Sequence, residues 1–323
     1  MVNKSGAPKL APAPAPISEG RMKLSAISRG KRRAPDKLVV VGVEGVGKST
    51  FGAEAPNSIF ISAEDGIRHL DVASFPEPQS FADVIAAIDE LASTEHDFRT
   101  IVLDSLDWIE PLAWKEVIDQ AKVNSIEEVG GGYGKGYTAA VDKFRFLLSR
   151  LDFLRMKKGM EVILLLHVIV KKFANPAGAD HDRFIGAINE KSYNLVKQWA
   201  DAILFATFED STMKEKSGRI KGISTGGRIA HTERHAAWDA KNRWALPPTI
   251  PFSYADWKEA REAGFQGNAA EILAACLELA ETLKVPSDHP VRAWFEKNKD
   301  DAAELGRGLN RLRVKASEAG VSA

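Results

Sequence analysis

Residues 38–50 read Leu38-Val39-Val40-Val41-Gly42-Val43-Glu44-Gly45-Val46-Gly47-Lys48-Ser49-Thr50. An apolar run of strand length gives way to a glycine-rich turn ending in Lys-Ser-Thr, where a helix is expected to begin. Gly42, Gly45 and Gly47 let the backbone take positive φ and come close to a ligand. The N–H groups of the turn and the helix N-terminus then face an anion. Lys48 adds a point charge for β- and γ-phosphates, and Ser49 offers a hydroxyl to Mg²⁺. Gly42 to Thr50 is therefore a candidate cradle for a nucleoside triphosphate.

Outward from this turn, short apolar runs alternate with helical patterns. Ser58–Ser62, Thr100–Asp104, Val162–His167 and Ala202–Phe205 read as further strands. Ser80 caps a helix with Val84, Ile88 and Leu91 on one face, and a second helix is expected from about Asp107. Val141, Phe144, Leu148, Leu151 and Leu154 mark a long amphipathic helix ending near Gly159. Unalternating apolar strands separated by helices predict an α/β fold whose mostly parallel sheet is covered on both faces. A polar, glycine-containing hairpin is expected over 211–227, further strands over 228–253, and helices from Asn268 onward. The expected organisation is a disordered, basic Ala/Pro-rich tail at 1–36, an α/β core at 37–257 and a C-terminal helical segment at 258–323.

At 323 residues and 44% hydrophobic composition, the chain can bury a sizeable core. Net charge is zero, but residues 1–37 hold nine Lys or Arg and two acids, a charge of +7, leaving −7 for the remainder. A basic tail suits an anionic partner such as nucleic acid; solubility alone is the competing explanation. The lone Cys276, within an apolar helical run, excludes an intramolecular disulfide framework and fits a reducing compartment. The apolar stretch Val162–Val170, interrupted by His167, is too short to span a bilayer, and no apolar signal core opens the chain. The expectation is a cytoplasmic protein that does not contact membranes. No Cys/His cluster has zinc-ligand spacing.

Several residues carry candidate chemistry. Asp104 ends an apolar strand, where an acid can hold the Mg²⁺ water shell. Glu64, in Ser62-Ala63-Glu64-Asp65-Gly66, sits where a carboxylate can orient and deprotonate a water, with Asp65 as competitor. His167 interrupts a buried strand, either as a hydrogen-bonded core residue or as a γ-phosphate sensor. The following loop, 168–184, contains Lys171-Lys172-Phe173, a pairing of charge and ring suited to single-stranded nucleic acid or to a surface lid. Tyr133 and Lys135, in the glycine loop 130–136, are a second candidate of that kind. Lys241 and Arg243 could reach the phosphates of a neighbouring subunit.

In that order, the motifs resemble the RecA-like recombinase core over about residues 38–250, most like compact phage-encoded versions that pair or anneal single strands. The resemblance implies a RecA-like P-loop NTPase binding ATP and Mg²⁺. It places the catalytic glutamate on Glu64, the metal-strand acid on Asp104 and the sensor on His167, where the family usually has glutamine. Phe173-Ala174-Asn175-Pro176 is similar to the family's second DNA loop, and Lys241 and Arg243 to its cations that reach across an interface. It further implies a DNA-stimulated ATPase acting on single-stranded DNA as a ring or filament of identical subunits in a host cytoplasm, with a single-strand-binding protein as a further partner. An assembly or loader ATPase with a protein partner and a small-molecule kinase are the competing readings.

Overall fold

In the computed structural model, β1 (Lys37–Gly42) is buried on both faces. Val39 and Val41 enter one apolar cluster, and Leu38 and Val40 enter another on the opposite face. That alternation is the period-two geometry of a strand, and it explains why the run carries no polar positions. The structure describes residues 34–175, 178–214, 220–266 and 269–299, together with 305, 308, 309, 311, 312, 315 and 316. The basic tail up to Arg33, and Pro176 of the proposed DNA loop, lie outside the described residues.

Two strands flank β1 in parallel: β5 (Glu161–Phe173) and β7 (Ala202–Lys214). Beyond β5 come β4 (Thr100–Asp104), β2 (Ser58–Ser62) and the short β3 (Ala73–Ser74), all parallel. On the other side, β8 (Ile220–His231) and β9 (Thr249–Pro251) continue the sheet antiparallel. The order is β3-β2-β4-β5-β1-β7-β8-β9, so β5 is inserted between the phosphate-loop strand and the strand ending in Asp104. A ninth strand, β6 (His181–Gly186), pairs with the outer half of β5, and its Phe184 also bridges to Trp238.

Helices α1 (Lys48–Ala53), α2 (Phe81–Ser93), α3 (Leu106–Ala121) and α4 (Lys135–Lys158) follow the strands as expected, and a further helix, α5 (Glu190–Trp199), precedes β7. Ser80 caps α2 by accepting from the Asp83 N–H at 3.2 Å. Gly159 ends α4 at φ 71° behind Arg155, Lys157 and Lys158, cations suited to the negative end of the helix.

Two features differ from expectation. β5 does not stop at His167 but runs to Phe173, so Lys171, Lys172 and Phe173 sit on an antiparallel hairpin rather than in a loop. Helix α6 (Tyr254–Gln266) spans the 257/258 boundary. Its Trp257 is buried with β1 residues, and its Arg261 donates to Asp36 at 2.7 Å with both groups buried. Burial pushes the Asp36 carboxyl up even beside that guanidinium. Farther on, α7 (Ala269–Thr282) and α8 (Pro290–Lys297) contribute to a separate apolar cluster around Cys276, Leu279 and Phe295. Cys276 is buried there, and its thiol donates to the Leu305 carbonyl at 3.5 Å. Among the described residues no helix is long and apolar enough to cross a membrane.

Candidate active site and strand-binding face

Strand register assembles the site. Gly42 of β1 lies opposite His167 of β5, and Ser62 of β2 opposite Asp104 of β4. The carboxyl ends of four parallel strands therefore meet at one edge, where α/β folds place their ligands. Gly45, Gly47, Lys48, Ser49, Thr50, Glu64, Asp104 and His167 line one cleft there, joined by His69 and Arg228.

The phosphate loop is shaped by its glycines. Gly47, at φ 98°, is the residue before α1, a conformation that side chains resist. A Cβ on Gly42 would come within 2.9 Å of the Ala206 carbonyl oxygen, so that position has no room for one. Lys48 is buried, and its Nζ donates to the Gly42 and Val43 carbonyl oxygens at 3.2 and 3.1 Å. Burial pulls its pKa down, against the nearby carboxylates.

Asp104 is almost fully buried, and burial raises its pKa against a side-chain hydrogen bond with Ser49. Its Oδ2 has no partner among the described residues. A buried, unsatisfied carboxylate oxygen beside a serine hydroxyl is a donor pair suited to Mg²⁺ and its waters, so the residues present fit that ion.

Glu64 rather than Asp65 faces the cleft. Ser62 Oγ donates to the Glu64 carbonyl at 2.7 Å and shapes the turn, while the exposed Asp65 pairs with Arg68. The Glu64 Oε2 accepts from Ser105 Oγ at 3.4 Å and lies 3.9 Å from His167 Nδ1.

Asp107 grips His167 twice, accepting from its backbone N–H at 3.0 Å and bonding its Nδ1 at 2.9 Å. Donor atoms of Glu64, Asp107 and His167 lie within 4.8 Å of one another. The Asp107 bond raises the His167 pKa above its ordinary 6.5, outweighing burial. Burial pushes Asp107 up, but the His167 bonds hold it below the ordinary value. Because the folded His167 pKa exceeds the unfolded one, its stabilisation is complete below about pH 6.5 and is lost as pH rises through the folded value. Thermal melts from pH 6 upward should show that loss in the native chain and not in Asp107→Asn. A slope that persists in Asp107→Asn would assign the effect to another group.

Arg228 was not legible in the sequence. It lies on β8 opposite Phe208, next to a register irregularity in the β7–β8 pairing. Its Nη1 sits 2.8 Å from where a Cβ on Gly47 would be, over the phosphate loop. It has no side-chain partner among the described residues.

Outside the cleft, β5 leaves the central sheet at His167, and the hairpin carries Lys171, Lys172 and Phe173 outward beside the exposed Ile169 and Val170. In the glycine loop, Gly130, Gly131, Gly132, Tyr133 and Gly134 all have positive φ. Tyr133 is 100% exposed, whereas Lys135 folds back to donate to the Gly130 carbonyl at 2.9 Å. Trp108, in the first turn of α3 beyond the cis Asp104–Ser105 peptide, is half exposed.

Lys241 and Arg243 are engaged within the chain. Lys241 Nζ donates to the Lys197, Gln198 and Ala200 carbonyl oxygens at 2.9, 3.3 and 2.6 Å, capping the C-terminal end of α5. Burial lowers its pKa. Arg243 pairs with Asp201 at 2.8 Å.

A family model described as an AAA domain matches residues 34–244. Among solved structures, one titled "Crystal structure of the RadB recombinase" aligns over 69% of this chain and 90% of its own, at 15% identity and a TM-score of 0.36. That likeness is too slight to bear on function. No curated protein matches the sequence.

Proposed function

The chain belongs to the AAA domain family, and from that premise we propose that it is an ATP-hydrolysing protein that grips single-stranded DNA, in pairing or annealing, according to the nucleotide it holds. One observation carries the reading: His167 is at once a wall of the phosphate cleft and the root of the hairpin bearing Lys171, Lys172 and Phe173.

In the proposed reaction, ATP lies on Gly42 to Thr50, with Lys48 and Arg228 facing the β- and γ-phosphates. Glu64 orients a water and takes its proton as the water oxygen bonds the γ-phosphorus and the bond to the β–γ bridging oxygen breaks, giving ADP and phosphate. Mg²⁺, held through Ser49 and Asp104, would neutralise charge on the phosphate oxygens. A charge change at Glu64, 3.9 Å from His167, acts on the Asp107–His167 clamp and through it on the hairpin.

On the hairpin, Lys171 and Lys172 form exposed ion pairs, with Glu190 at 3.3 Å and Asp180 at 3.8 Å. Such pairs are worth about 0–1 kcal/mol, so a DNA phosphate can displace them. Tyr133 offers a ring for stacking. Several copies in a ring or filament would line these faces along one strand. The internal bonds of Lys241 and Arg243 leave Arg228 as the better-placed cation for the phosphates. The experiment is the affinity of a labelled single strand measured in ATP and in ADP across a salt series.

The exposed Phe146, Phe153 and Met156 on α4 favour a second reading, an assembly or loader ATPase with a protein partner. DNA without effect on hydrolysis or assembly would select it.

A further inference from the structure

Beneath the hairpin, a cavity of about 290 Å³ opens between one hairpin face and α5. The strand period puts Lys171 and Phe173 on the same face of β5, and Lys171 lies opposite Arg183 in register. Phe173 and Tyr193 give the cavity aromatic surface. Four cations line it against two carboxylates, so it favours an anion. Arg183 is more than nine-tenths buried, held by Asp239, and its Nε has no partner among the described residues. Asn194, exposed on α5, has an amide without a partner among the described residues and can both donate and accept.

We propose that this cavity seats one nucleotide unit of a bound single strand, its base against Phe173 and the Asn194 amide and its phosphate at Lys171. The inference rests on the DNA reading above and adds to it a base contact behind the phosphate contacts. Three features select a nucleotide over a bare phosphate or an acidic peptide. Aromatic surface, an amide and excess positive charge converge in one place. At the small end of ligand pockets, the space suits one base and not a base pair. A free mononucleotide has the same chemistry, so the test must separate it from a strand.

The test compares the full-length chain with a thymidine oligonucleotide, an abasic strand of equal phosphate count, and thymidine monophosphate. Base stacking is worth about 1–3 kcal/mol, so the abasic strand should bind roughly 5- to 150-fold more weakly. Phe173→Ala and Asn194→Leu should each shrink that ratio, while the salt dependence, set by phosphate contacts, stays the same. Circular dichroism and thermal melts of both variants check folding. Equal affinity for the two strands, or a ratio unchanged in both folded variants, overturns the pocket and leaves the DNA reading intact. Binding of neither strand overturns both. Thymidine monophosphate bound through Phe173 without strand binding assigns the cavity to a free nucleotide and overturns the proposal.

Discussion

Replacing Lys48 by alanine is expected to slow ATP hydrolysis about 10²–10³-fold, the loss usual when one preorganised charge contact to a transition state is removed. The effect should be large because Lys48 is buried and its pKa is lowered, so its charge acts in a poorly screened place. Fluorescent-nucleotide binding should weaken as well, since the ammonium faces ground-state phosphates too. The same variant should lose any nucleotide effect on strand binding. Phosphate release measured alongside thermal melts separates this from misfolding. A folded Lys48→Ala chain that hydrolyses ATP at the native rate would remove the cleft from the mechanism.

The second large effect is expected at Arg228. An arginine that meets transition-state charge supplies about 10³–10⁵ in kcat, so Arg228→Ala should lose at least the lower figure while nucleotide affinity changes much less. Arg228→Lys should recover only part, because an ammonium lacks the planar fork. The arginine belongs to the same chain as the phosphate loop, only 2.8 Å from a Cβ position on Gly47. Turnover per chain should therefore hold constant on dilution. A rate that falls with dilution, together with a native rate in Arg228→Ala, would return the catalytic cation to a neighbouring subunit.

Arg228 also marks the limit of what the chain discloses before it folds. The phosphate loop is legible because its requirement is local: turn, positive φ and helix start follow one another within nine residues, Gly42 to Thr50. Asp104 and Glu64 are legible for a related reason, since each closes an apolar run whose end must lie at the sheet edge. Nothing near Gly226-Gly227-Arg228 carries such a signal, because that arginine reaches Gly47 across the β1–β7–β8 register. The partners of Lys241 and Arg243 were hidden for the same reason. Two cations before a proline stop look free in sequence, yet the end of α5 supplies Lys241 with three carbonyl oxygens, and Asp201 meets Arg243.

The extension of β5 past His167 was hidden by composition. Lys171 and Lys172 end the apolar pattern that identifies a buried strand, yet β5 continues because β6 pairs with it from Val168 to Phe173. Helix α6 was missed because polar residues interrupt it; its attachment comes from Trp257 in the core and Arg261 on Asp36, contacts with residues far back in the chain. The Asp107 grip on His167 likewise joins the first turn of α3 to β5, positions 60 residues apart.

The central claim is that phosphate chemistry at Glu64 and Lys48 reaches the hairpin through His167. Its most direct measurement is the fluorescence anisotropy of a labelled single strand titrated with the native chain in ATP and in ADP, with Asp107→Asn alongside. Binding should be tighter and salt-sensitive in ATP, and the difference between nucleotides should collapse in Asp107→Asn while ATP still binds. Equal strand affinity in both nucleotides would contradict it.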